Sequence, residues 1–176
     1  MSEQRPNPDV AITLRRIRRE DDPAVAAIIR AVMTEFGAVV EGYSIEDPEV
    51  NSMFDAYEQP RAAFWVVETG GEVLGCGGYA PLKGGGPDTC ELQKMYFLPP
   101  LRGRGAGRRL MLRCLDGARE DGFRLCYLET LGNMDAARRL YRHFGFSDID
   151  APLGATGHGG CDRWMVLELN GAEAAS

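Results

Sequence analysis

The feature that most constrains this chain is a strand-like run, a glycine-rich basic loop and a periodic helix, in direct succession. Cys90 to Leu98 is rich in strand formers and is closed by Pro99-Pro100. Leu101-Arg102-Gly103-Arg104-Gly105-Ala106-Gly107 comes next. Leu110, Met111, Cys114, Leu115 and Ala118 then recur at helical spacing, which predicts a helix over 104–121 stopped by Asp121-Gly122. Gly103, Gly105 and Gly107 can present successive backbone N–H groups at that helix start, where the partial charge is positive. Arg102, Arg104, Arg108 and Arg109 add cations beside it. The residue types describe an anion site suited to pyrophosphate; glycine as helix punctuation is the bland alternative.

Two common phosphate loops do not fit. A Rossmann fingerprint begun at Gly103 needs glycine where Arg108 stands. It also opens a first βαβ unit rather than following consecutive strands. A Walker loop needs Gly-Lys-Ser/Thr, which the sequence lacks.

Around this segment the periodicities predict a strand at 12–17 and a helix from Asp21-Asp22-Pro23 to Phe36. A shorter helix starts at Asp47-Pro48 and carries Val50, Met53, Phe54 and Tyr57. Strands at 63–68 and 72–79 flank Gly70-Gly71 and read as a hairpin. A strand at 125–130, a helix from Asp135 to Phe144 ended by Gly145, and strands at 146–150 and 161–169 complete the chain. The order β-α-α-β-β-β-α-β-α-β-β makes an α/β (α+β) fold with a mixed sheet and helices on its faces. The 176 residues suit one domain able to bury a core.

Charge and cysteine usage narrow the function. The net charge of −6 divides into −7 over 1–90, +4 over 91–149 and −3 over 150–176. An acidic protein with one basic stretch is a poor nonspecific nucleic-acid binder. That stretch can hold a small polyanion or only solvate helix faces. Five cysteines, none in C-x-x-C spacing, argue against a disulfide framework and a structural zinc; no metal is expected. The N-terminus lacks the apolar core of a signal peptide and no run of about 18 apolar residues occurs, so a cytoplasmic protein with no membrane partner is expected.

Three motifs in order resemble the GCN5-related N-acetyltransferase (GNAT) superfamily. Arg102-Gly103-Arg104-Gly105-Ala106-Gly107 looks like its R-x-x-G-x-G/A signature, and Glu91 to Phe97 resembles its fourth strand. Ala136-Ala137-Arg138-Arg139-Leu140-Tyr141-Arg142-His143-Phe144-Gly145-Phe146 is similar to its A-x-x-L-Y-x-x-x-G-F helix. The resemblance implies a single acetyltransferase domain over 11–170, between flexible tails at 1–10 and 171–176. It implies a mostly antiparallel sheet with splayed fourth and fifth strands. Acetyl-CoA is the implied co-substrate, its pantetheine arm on Met95, Tyr96 and Phe97 and its pyrophosphate on Arg102 to Arg108. Many members carry Asn where Met134 stands; Asn133, one residue earlier, is the candidate here. A homodimer is compatible with the family.

Amide formation from a thioester needs a base for the amine and benefits from an acid for the leaving thiolate. Tyr141 matches the family's proton donor, and packing is its alternative. Glu91 is the candidate base, directly or through water, with Glu129 its competitor. His143 reads as a helix-end residue. His158, in the loop Gly154 to Gly160, lines the acceptor pocket or is merely mobile. Residues 31–60 hold seven acids and no Lys or Arg, a rim that attracts a cationic amine or a solvated face. The expected acceptor is the primary amine of a small molecule or peptide. A noncatalytic acyl-CoA sensor is the rival reading, and a nucleotide-dependent oxidoreductase a distant third.

Overall fold

A computed structural model describes residues 10–39 and 42–169. The two expected tails lie outside these residues, except Val10. Among these residues seven strands form one sheet: β1 (Ile12–Arg16), β2 (Ala63–Thr69), β3 (Glu72–Pro81), β4 (Thr89–Phe97), β5 (Leu125–Thr130), β6 (Ser147–Ile149) and β7 (Arg163–Glu168). Their order is β1-β2-β3-β4-β5-β7-β6. Only β4 and β5 run parallel; every other neighbour pair is antiparallel.

The helices are α1 (Asp22–Glu35), α2 (Met53–Ala56), α3 (Ala106–Glu120) and α4 (Asp135–His143). On one face α1 and α2 bury Val25, Ile28, Ile29, Val32 and Met53 against Phe64, Val66 and Cys76. On the other, Leu110, Met111, Cys114 and Leu115 of α3 and Tyr141 of α4 meet Trp65, Val67, Leu92 and Leu128. Each large apolar side chain fully buried this way contributes roughly 1.5–3 kcal/mol. No helix of the described residues is long and apolar enough to cross a membrane.

One expected element is different. The single helix expected after Asp47-Pro48 is a 3-10 turn at Pro48–Asn51 followed by the one-turn α2. Asp47 makes no side-chain cap, because its carboxylate is drawn to Lys94 and His158 instead. Val50, Met53 and Tyr57 still pack inward, as their spacing predicts. The Gly70-Gly71 hairpin holds both glycines at positive φ, +60° and +80°. These are the signs a two-residue primed turn requires.

Close approach explains a glycine in β3. A Cβ on Gly78 would stand 2.2 Å from the Ala63 carbonyl oxygen and 2.7 Å from the Phe64 ring. The backbone oxygen cannot move away without breaking the β2–β3 ladder. Gly78→Ala is therefore expected to destabilise the fold by about 2 kcal/mol or more. Urea unfolding checks this, and a midpoint equal to wild type would refute it.

The sheet forks where β4 and β5 part. Their parallel pairing stops at Glu91 opposite Tyr127. β4 runs on to Phe97 and β5 to Thr130. The β3–β4 register also slips by one residue, so that Lys94 and Met95 together oppose Gly77. Lys94 takes the left-handed backbone, with φ +51°. Such a bulge bends a strand and re-aims its edge. The splay implied by the resemblance is present.

Candidate active site

The fork holds two adjacent spaces that share Met95, Tyr96, Met134 and Tyr141 in their lining. The outer cleft, about 500 Å³, runs between β4 and the start of α3 on one side and α4 on the other. The inner chamber reaches down between the strands to Glu91, Glu129 and His158.

The outer cleft is built from the glycine loop. Gly103 and Gly105 hold φ at +73° and +80°, and nothing lies within 4 Å of where a Cβ would stand on either. The loop thus faces open space. Gly105 provides the left-handed turn into α3, and no side chain caps that helix. The first-turn N–H groups of an α-helix have no partner within it. Here those of Ala106, Gly107 and Arg108 belong to residues lining the cleft. Phe97, Ala136, Ala137 and Leu140 supply its apolar side.

Ten of the eleven residues expected at the co-substrate line this cleft: Met95, Tyr96, Phe97, Arg102, Gly103, Gly105, Ala106, Gly107, Arg108 and Asn133. Arg104 does not. Its guanidinium donates to the Val10 carbonyl at 2.6 Å, because the glycine turns on either side send its side chain toward the start of β1. Arg102 lines the cleft, yet its guanidinium is spanned by both Glu35 oxygens at 2.7 Å and donates to the Phe97 carbonyl. It braces the loop to the end of α1. Asn133 donates to the Phe36 carbonyl and so ties the β5–α4 loop to the same helix end. His143 sits 3.2 Å from an Arg108 nitrogen, at the helix-end position read for it.

Tyr141 lines both spaces and is 7% exposed, its ring edge-on to Phe146. Its hydroxyl has no hydrogen-bond partner among the described residues. Burial raises its pKa, so the phenol keeps its proton at neutral pH.

Glu91 is buried in the chamber, at 4% exposure. Gln93 donates to its Oε2 at 2.8 Å, and Tyr57 donates in turn to Gln93. Burial pushes the Glu91 pKa up to about 7, against the Gln93 hydrogen bond and with help from the nearby Glu129 charge. Glu129 goes the other way. Burial opposes its charge, but bonds from His158, Tyr127 and Thr156 outweigh that and hold it below the usual range. Between the two candidate bases, Glu91 alone is poised to exchange a proton near neutrality.

Lys94, read from the sequence only as a strand residue, and Asp47, read as a helix start and one acid of the rim, complete the chamber. The Lys94 ammonium reaches Asp47 Oδ2 at 2.7 Å and Glu49 Oε1 at 3.3 Å. Asp47 Oδ1 meets His158 Nε2 at 2.8 Å. His158 thus lines the chamber; the loop carrying it is held by a Gly160 N–H donated to the Gly42 carbonyl and by Tyr43 packed against Gly160. The Asp47 hydrogen bond, then the Glu129 contact, push the His158 pKa up to about 9 despite burial. Asp47 itself is held low: burial opposes ionisation, and His158 and Lys94 outweigh it. Glu91, Glu129 and His158 each bring one atom within 4.8 Å of the others, though 38 and 29 residues separate them along the chain. Of the acidic rim read from 31–60, Glu46 and Glu58 stay exposed, and most of the rest is neutralised. Glu35, Asp47, Glu49 and Asp55 are each spent on an ion pair, and Glu41 lies outside the described residues.

Known proteins share this fold. Residues 20–146, from the start of α1 through the loop and α4, match the model of the acetyltransferase (GNAT) family. YjgM, an uncharacterized N-acetyltransferase of Escherichia coli K12, is 48% identical over 157 residues, 89% of this chain and 94% of that protein. An IAA acetyltransferase of Azospirillum brasilense is 38% identical over 62% of this chain and 71% of its own. A GNAT-family acetyltransferase from Staphylococcus aureus Mu50 superposes with a TM-score of 0.80 at 20% identity, over 90% of this chain and 99% of that one. The putative acetyltransferase yncA of Salmonella typhimurium, solved with its cofactor acetyl-CoA, gives 0.74 at 22% identity, over 94% and 97%. The fork, the glycine loop and the family match together make this chain a member of the GNAT family of acetyltransferases.

Proposed function

We propose that the chain moves the acetyl group of acetyl-CoA to a primary amine by direct attack in a ternary complex. The observation that carries this reading is that Glu91 and Tyr141 line one chamber, and that Met95, Tyr96, Met134 and Tyr141 of its lining also bound the outer cleft. The cleft fits the donor. It offers an uncapped helix start and open glycine turns for a diphosphate, and an apolar wall for the arm. The Salmonella protein solved with acetyl-CoA has the same fold.

Acetyl-CoA supplies the acyl carbon and a thiolate leaving group. The protein supplies position and protons. Ala106, Gly107 and Arg108 hold the diphosphate through their N–H groups. The edge of β4 past Glu91, released from β5 by the splay, lies along the arm. Glu91, ionised, takes a proton from the acceptor ammonium directly or through water, and frees the lone pair that forms the C–N bond. As the C–S bond breaks, Tyr141 gives its proton to sulfur and is reprotonated from the nitrogen or from solvent. The sum is ammonium plus thioester to amide, free thiol and one proton. No enzyme nucleophile is needed; Cys161 lines the chamber, but burial pushes its thiol pKa up to about 12.

The test couples binding to turnover. Acetyl-CoA at 100 times its Kd should stabilise the fold by roughly 2.7 kcal/mol, and NADH should not. Thiol release from acetyl-CoA should appear with at least one primary amine in a panel. Binding without turnover across amines would favour a sensor and overturn the enzyme mechanism.

A further inference from the structure

The chamber before Glu91 holds charges of both signs, but among the described residues only one sign is left uncommitted. The cations lining it are Lys94 and His158. The Lys94 side chain is 3% exposed and its ammonium is spent on Asp47 and Glu49. Both ring nitrogens of His158 face carboxylates, Nε2 toward Asp47 at 2.8 Å and Nδ1 toward Glu129 at 3.6 Å. Glu91 differs: its Oε2 accepts from a neutral amide, and no described residue donates to its Oε1. Asp47, Glu49 and Glu129 already outnumber the two cations before Glu91 is counted.

An amine entering this chamber meets a group able to take its proton. A carboxylate carried on the same carbon would be stripped of water with no cation free to receive it. Glu91 and Glu129 would also repel it. Burying an unpaired charge is far costlier than burying a carboxamide, which needs only hydrogen bonds. From this charge arrangement we propose that the acceptor is a primary amine with no carboxylate beside it, either a plain amine or one flanked by a carboxamide. Free α-amino acids are rejected. The inference rests on the amine-acetylation reading above and adds the substrate class.

The experiment takes the fastest acceptor in an amine panel and compares three relatives built on it: the plain amine, its α-carboxamide and its α-carboxylate. The plain amine is more basic than the α-amino acid and the carboxamide less so. A preference shared by both over the acid is therefore not an effect of amine basicity. Both should exceed the acid by about 100-fold in kcat/KM, the scale on which unmatched polar groups are rejected. A preference below tenfold, or an α-amino acid as fastest acceptor, overturns the proposal while leaving acetylation intact. Failure of every amine and acid to release thiol sinks the parent reading and this inference with it. Asp47→Asn supplies a second arm. It loosens both cations, so the acid should gain in absolute kcat/KM and the ratio should shrink by about tenfold. A merely structural loss would lower all three acceptors alike. If that variant fails to fold, the wild-type ratio still decides.

Discussion

Glu91→Gln should lower kcat/KM for the best amine by about 10²-fold or more, the usual scale for losing a positioned proton acceptor. Glutamine keeps the oxygen that accepts from Gln93, so the chamber should hold its shape. The pH profile distinguishes a base from a spacer. Glu91 must be ionised to act, and its pKa stands at about 7. Wild-type kcat/KM should therefore rise with pH through a limb near 7, and the variant should lose that limb. Stability should move oppositely to activity. A buried acid whose pKa is raised holds its proton more tightly folded than unfolded. Its penalty is absent below the ordinary value of 4.5, grows up to about 7 and persists above it. Glutamine carries no such penalty. At pH 8 the variant should be at least as stable as wild type by urea unfolding. A variant with full activity, or with an unchanged pH limb, would remove Glu91 from the mechanism and leave Glu129 as the candidate.

Tyr141→Phe should reduce kcat by tenfold or more, which corresponds to about 1.4 kcal/mol in the barrier. The ring is buried and packed edge-on to Phe146, and phenylalanine keeps that contact. Its hydroxyl has no described partner to strand, so folding stability should change by less than about 1 kcal/mol. The two outcomes separate chemistry from packing. Lost turnover with intact stability and intact acetyl-CoA binding supports proton donation to sulfur. Unchanged turnover would reduce Tyr141 to a wall between the two spaces.

The charges inside the chamber show how a site divides between local and distant causes. Gly105 sits where the chain must turn left-handed into α3, and the need for glycine there is written in the loop itself. The α3 stripe of Leu110, Met111, Cys114 and Leu115 follows from helical spacing, and so does its burial. Tyr141 sits in a motif whose spacing along α4 is local. Arg104 marks the limit of such reasoning. Residue type placed it at the phosphate, but turning the chain through Gly103 and Gly105 sent it to Val10.

The element order, the mixed sheet and the glycine loop at the start of α3 are written in the sequence itself, and the two residues proposed for proton transfer come from motifs that resemble a family. Each depends on periodicity or on motifs only a few residues long. The tertiary structure decided which charges are free. Asp47 reads as a helix cap and Lys94 as one more strand residue, yet 47 positions apart they form an ion pair deep in the fold. His158 joins them from 111 positions beyond Asp47. No local pattern encodes such pairings. They arise because the β4 bulge turns Lys94 inward just where the Asp47 turn and the glycine-rich loop close over the fork. Burial then makes each pairing, and each group left without one, count for far more than it would in water.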